Sequence, residues 1–143
     1  MPKHAEKRHL PHSPEEMFAL VADIEKYPEF LPWCVGTRVR SNDGEVVLAD
    51  MVIGYKMFRE KFTSEVRLSQ PDRIDVAYTD GPFKYLSNHW IFLKEPDGTC
   101  IVDFYVDFEF RSKFLQTMIG TVFNEAVRIM VQSFEKRAEK IYR

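Results

Sequence analysis

Cysteine is scarce in this chain. Cys34 and Cys100 are its two cysteines, far apart and in no CxxC pair or Cys/His cluster. That excludes a disulfide framework and a zinc-ligand pattern, and leaves two reduced thiols in an intracellular protein as the expectation. No apolar run approaches the roughly 18 residues of a membrane span, and the opening MPKHAEKRHLPHSPEE lacks the apolar core of a signal peptide, so any membrane contact is expected to be peripheral. GxSxG, P-loop, HExxH and GxGxxG patterns are all missing, which removes several common routes to nucleophilic, phosphoryl, zinc and dinucleotide chemistry. An excess of charge is missing too: 20 Lys and Arg stand against 22 Asp and Glu, so no polyanion-binding surface dominates and no DNA partner is implied. Without repeats, low-complexity tracts or a linker, residues 1–143 read as one domain.

Large apolar side chains are present in surplus. Aromatics make up 14% of the 143 residues, with twelve Phe. A domain of this size buries about 68–70% of its unfolded surface, enough for a full core or a hollow one.

Residues Lys3 to Leu10 alternate weakly and read as a polar edge strand. Ser13-Pro14-Glu15-Glu16 marks a helix start, with Ser13 as N-cap, Pro14 at the first helical position and Glu16 bonding back to Ser13. Two prolines in Tyr27 to Cys34 limit any second helix to about two turns. From Val35 to Phe110 the pattern is one of antiparallel strands, with Asn42-Asp43-Gly44 and Asp97-Gly98 as hairpin turns. The clearest strand is Ile101 to Phe110. Its Val102, Phe104, Val106, Phe108 and Phe110 face one way, and Asp103, Tyr105, Asp107 and Glu109 the other, as in a sheet with one solvated face.

That greasy face needs a cover. Arg111 to Arg143 supplies it: Leu115, Ile119, Val122, Phe123, Ala126, Met130, Phe134, Ala138 and Ile141 recur three and four apart, the spacing of one amphipathic helix. Phe114 to Val131 carries a wider apolar arc, expected over a cavity, and Phe134 to Ile141 a narrower one, expected to clamp the helix to the sheet. Gly120 costs about 1 kcal/mol relative to Ala inside a helix, which points either to a loosened lid or to close packing. Phe83, on a turn, is either a docking tip or buried.

The candidate cavity lining is Phe62, Trp90, Phe92, Phe104, Val106, Phe108, Phe114, Met118 and Val122, which suits a flexible hydrocarbon better than a polar metabolite. Tyr55, Glu60 and Ser64 are the polar candidates, because alternation turns Glu60 and Ser64 inward. A charge at Phe104 or Met118 is expected to abolish lipid loading with the fold retained. Asp103, Asp107 and Glu109 share the wet face, and His4, His9 and His12 lie in or beside the polar first strand as solvated side chains. No catalytic set and no metal site is assigned.

The order of strand, two short helices, six-strand meander and long terminal helix resembles the α+β helix-grip fold of START-like proteins. Three stretches, YPEFLPWC (Tyr27 to Cys34), GPFKYLSNHWIF (Gly81 to Phe92) and VDFEFRSKFLQTMIGTVFNEAVRIMVQSFEKR (Val106 to Arg137), are similar to the coenzyme Q-binding START-like family. The resemblance implies non-enzymatic binding of ubiquinone or another polyprenyl lipid in support of respiration, with the quinone as ligand and no cofactor. Tyr55, Ser64 or Trp90 would then donate to the quinone carbonyls. It equally admits a ribosome-associating inhibitor of subunit joining that uses the basic helix face, or a cyclase/hydratase-type enzyme with Glu60 as acid or base. With the domain pattern starting almost at Met1, a bacterial cytoplasmic protein peripheral to the inner membrane is expected.

Overall fold

The computed structural model describes residues 3–55, 58–120 and 123–142, without the side chains of Tyr55 and Phe58. Strand β1 (Lys3–Leu10) leads into helix α1 (Pro14–Ala22) and a 3-10 helix (Ile24–Glu29). Six strands follow: β2 (Cys34–Asn42), β3 (Val46–Tyr55), β4 (Phe58–Ser69), β5 (Arg73–Asp80), β6 (Phe83–Lys94) and β7 (Cys100–Phe110). Helices α2 (Lys113–Gly120) and α3 (Phe123–Ile141) end the chain. Where the sequence reads a single helix from Arg111, the helical stretch starts at Lys113 and is described on either side of residues 121 and 122, which lie outside the described residues.

Local chemistry sets these boundaries. Ser13 and Glu16 form the expected capping box: the Ser13 hydroxyl accepts the Glu16 N–H at 3.1 Å and the Glu16 carboxylate accepts the Ser13 N–H at 3.0 Å. A cap of this kind contributes about 1 kcal/mol. Ser112 supplies half of such a cap to α2, its hydroxyl accepting the Leu115 N–H at 3.2 Å. The β2–β3 turn is closed by Asp43, whose carboxylate accepts the Glu45 and Val46 N–H groups at 2.9 and 2.7 Å, while Gly44 takes the positive φ of 93°.

The seven strands form one antiparallel sheet in the order β1-β7-β6-β5-β4-β3-β2. Register shifts interrupt the ladder at Cys34/Gly36, Val39/Ser41, Thr63/Ser64 and Phe83/Tyr85. Each adds a local bend, and the sheet curves around the helices. Polar pairs satisfy its outer face. Asp50, 3% exposed, accepts from Thr63 at 2.6 Å and Arg40 at 2.8 Å; these two donors hold its carboxyl below the usual aspartate range. Asp107 accepts from Tyr85 and Tyr105, and Glu109 pairs with Lys84 at 2.8 Å, so the carboxylates of β7 serve the outer surface as the alternation predicts.

On the inner face α3 crosses to β1. Arg8 meets Glu135 at 3.4 Å and His4 meets Asn124 at 3.4 Å, so the half-buried row of β1 faces this helix rather than open solvent. His12 also departs from expectation: it is buried at 7% exposure, with its ring 6.0 Å from that of Tyr142. Phe134 and Ala138 clamp α3 as predicted, at 2% and 0% exposed, but Ile141 is 46% exposed and takes no part in the clamp. Both cysteines are buried and free, and burial pushes each thiol up to about 11. Among the described residues no helix is long and apolar enough to cross a membrane.

Candidate functional site

A cavity of about 330 Å³ lies between the curved sheet and the helices. Its walls follow from strand alternation. Ala49, Met51 and Ile53 of β3, Phe62, Ser64 and Val66 of β4, Ile74 and Val76 of β5, Leu86, Asn88 and Trp90 of β6, and Phe104, Val106, Phe108 and Phe110 of β7 all reach it from the sheet. The roof is Leu115, Met118 and Ile119 of α2 with Phe123, Ala126, Val127, Met130 and Phe134 of α3, and one end is closed by Val21, Ile24 and Tyr27.

The lining residues differ in burial. At the closed end Val21, Ile74 and Phe104 are each 1% exposed and Trp90 is 4%. At the other end Ile53, Gly54, Glu60, Phe62, Met118 and Ile119 are only partly buried. The cavity therefore has a floor under α1 and a mouth between Gly54 of β3, Glu60 of β4 and Met118 of α2. An aromatic cluster braces the mouth: Phe83 stacks on Phe110 at 4.7 Å and meets Phe62 and Phe108 edge-on at 5.4 Å each. Phe83 is thus buried, at 3% exposure, and is no docking tip. Gly81 makes the cluster possible, because a Cβ there, at φ 146°, would lie 2.6 Å from the Phe62 Cβ.

Eight of the sequence-derived candidates line this cavity: Phe62, Trp90, Phe104, Val106, Phe108, Met118, Glu60 and Ser64. Phe92 does not. It faces inward, but α1 covers that end of the sheet, and its ring packs edge-on against Phe18 at 6.1 Å. Phe114 is 64% exposed. With 3.6 residues per turn, aiming Leu115, Met118 and Ile119 at the sheet turns Phe114 about 100° away from the Leu115 direction. Val122 and the Tyr55 side chain lie outside the described residues. Gly120 is exposed, and among the described residues a Cβ there would meet nothing within 4 Å, so no close packing against them accounts for it.

The sequence reading did not assign several residues to the lining: Val21, Ile24 and Tyr27 at the floor, Trp33 after the 3-10 helix, and Met51 and Ile53 on the β3 wall. Alternation in β3 carried the signal for the last two. The floor residues carry none that separates cavity from solid core. Tyr27 donates its hydroxyl to the Val21 carbonyl, and burial, the largest cause, raises its pKa further from neutrality.

No Lys, Arg, His, Cys or Asp is among the described residues that line the cavity. Its polar side chains are chiefly Glu60, Ser64 and Asn88, and the Asn88 amide already donates to the Tyr105 carbonyl at 2.8 Å. Among the described residues no group of three His, Cys, Asp or Glu side chains could hold a metal ion. His89 stacks on Tyr105 at 5.3 Å on the outer face, away from the cavity.

A family model described as polyketide cyclase/dehydrase and lipid transport matches residues 10–135. The chain belongs to this family. Within the family it is a START-like protein with coenzyme Q-binding and ribosome association toxin relatives. It is 38% identical over 136 residues to the ribosome association toxin RatA of Rickettsia prowazekii, covering 92% of each chain. It is 33% identical over 144 residues to the mitochondrial coenzyme Q-binding protein COQ10 homolog B of Xenopus laevis, covering 98% of this chain and 59% of that one. A START superfamily protein from Mycobacterium smegmatis superposes with a TM-score of 0.82 at 16% identity, over 97% of this chain and 98% of that chain, which shows the fold. The architecture is the START-like helix-grip fold that the sequence predicts, an antiparallel curved sheet wrapped around the terminal helices. This fold is a hydrophobic lipid-binding one.

Proposed function

We propose that this START-like chain binds a polyprenyl quinone such as ubiquinone in the cavity and presents it at a membrane surface in support of respiratory electron transport, without covalent chemistry. The observation that carries the reading is the lining: aromatic and aliphatic side chains on every wall, interrupted by very few polar groups. A volume near 330 Å³ is at the low end of the range for ligand sites, about 300–1,000 Å³, so a quinone ring and a short length of tail fill it. The relative named as a coenzyme Q-binding protein supports the ligand class.

Energetics favour a presenter. Burying an isoprene contributes about 0.8 kcal/mol per CH₂-sized unit, but leaving the bilayer costs nearly the same. Net preference then comes from shape and from contacts to the ring.

Both tryptophans of the chain, Trp33 and Trp90, line the cavity. Titration with ubiquinone should therefore quench their fluorescence saturably. Emission that falls only in proportion to added quinone, without saturation, contradicts the reading.

A second reading is supported by the relatives named as ribosome association toxins: contact with a ribosomal surface through the terminal helix. Lys113, Lys136 and Lys140 are exposed there. Much of the remaining basic face is engaged within the chain: Arg137 pairs with Glu29 at 2.8 Å and lies over Phe30, Arg128 pairs with Glu125, and Arg111 donates to the Phe83 carbonyl. This reading requires salt-sensitive co-sedimentation with the large subunit.

A further inference from the structure

Ser64 is the polar group that the fold leaves unsatisfied at the centre of the site. It is 5% exposed, lines the cavity, and its hydroxyl has no hydrogen-bond partner among the described residues. Its neighbours explain why. Ala49 stands opposite on β3 and Phe62 and Val66 flank it along β4, none with a side-chain acceptor. Opposite on β5 is Tyr78, whose hydroxyl sits against the Phe83 N–H at 3.2 Å. The adjacent residue shows what satisfaction looks like: Thr63, also buried, turns to the outer face and donates to Asp50 at 2.6 Å. The ladder between β4 and β5 shifts register between Thr63 and Ser64, and such irregularities re-aim side chains beside functional sites.

A buried hydroxyl without a partner is costly, and a seat in an otherwise apolar wall is where a ligand oxygen can answer it. Position along β4 gives the direction. Glu60 and Phe62 are partly exposed at the mouth, whereas Ser64 and Val66 are buried. At about 3.3 Å per strand residue, Ser64 lies roughly 13 Å inward from Glu60.

We infer that Ser64 donates its O–H to a carbonyl oxygen of the ligand, so that a quinone enters ring first and its tail leaves through the mouth between Glu60 and Met118. This rests on the quinone reading above and adds to it the orientation and the residue that selects a carbonyl over a plain hydrocarbon. The cavity volume agrees, since it accommodates a ring and little tail. The shared chemistry, a carbonyl on an apolar body, also occurs in a fatty acid, so the test separates the two sources.

The test compares the natural chain with Ser64→Ala against three probes: ubiquinone with two isoprene units, a terpene hydrocarbon without oxygen, and a medium-chain fatty acid. Loss of one neutral hydrogen bond is expected to weaken ubiquinone binding about three- to tenfold, with hydrocarbon binding unchanged and apo melting temperature equal or higher. Lengthening the quinone tail beyond a few isoprenes should leave affinity flat. Equal ubiquinone affinity for both chains overturns the role of Ser64 and leaves the quinone reading standing. A lower apo melting temperature in Ser64→Ala shows a structural hydroxyl and also overturns it. Fatty acid bound more tightly than ubiquinone, and losing more on substitution, overturns the quinone as the source of the carbonyl. Binding of no probe by the natural chain overturns both proposals.

Discussion

Phe134→Ala is expected to lower the unfolding free energy by about 3–5 kcal/mol, the usual cost of removing a fully buried Phe and leaving a cavity. Phe134 is 2% exposed and holds three parts of the chain together. Its ring meets Trp90 of β6 at 4.9 Å, Tyr27 of the 3-10 helix at 5.3 Å and Phe30 at 5.1 Å, with interplanar angles of 66°, 89° and 81°. Edge-to-face pairs of this kind add about 0.5–1.5 kcal/mol beyond burial, so the upper part of the range is expected. For a chain of this length the melting temperature should fall by roughly 10–20 °C. Urea titration of delipidated protein gives the free energy directly. A loss under about 1 kcal/mol shows that α3 is not clamped through this residue.

Met118→Asp has its largest effect on loading rather than stability. Met118 is only partly buried at the mouth, where a carboxylate can stay hydrated in the apo protein. A seated tail must strip that water away, and desolvating an unpaired charge costs several kcal/mol. About 3 kcal/mol corresponds to roughly a hundredfold weaker quinone binding, with the melting temperature of the apo protein within a few degrees of the natural chain. Unchanged binding places the ligand's exit elsewhere. Phe104, which the sequence offers as an equivalent site for a charge, is not one. It is 1% exposed and packed against Trp90 at 4.7 Å, so a carboxylate there has no route to water and unfolding is the expected outcome.

That contrast shows what was legible in the sequence. Alternation in β7 and the three-four spacing after Ser112 named the two surfaces that face each other, and those surfaces do enclose the cavity. Alternation also turned Glu60 and Ser64 inward correctly. It could not say which inward residues meet empty space. Phe92 and Phe104 have the same parity on adjacent strands, yet α1 lies over the first and the cavity over the second, a difference set by chain path rather than by local pattern. Phe114 differs for a rotational reason: the apolar arc that the sequence of α2 suggests is wider than the face that meets the sheet. His12 is buried beside Tyr142 from the far end of the chain, a contact that the local pattern does not carry.

The outer face was the easier half. Its carboxylates find partners close in the sheet, Asp107 with two tyrosines and Glu109 with Lys84, so a polar row needed no ligand to explain it. By the same test Ser64 stands apart, an inward polar group without such a partner among the described residues.

Whether the cavity holds a polyprenyl quinone is read most directly from the identity of what the natural protein carries. The chain is purified without detergent from cells that make ubiquinone, extracted with solvent, and the extract analysed by mass spectrometry beside the same extract from the Met118→Asp variant. Ubiquinone is expected at a substantial fraction of one per chain in the natural protein, with its loss in the variant. Protein that carries no quinone, and whose melting temperature does not move when ubiquinone is added, contradicts it.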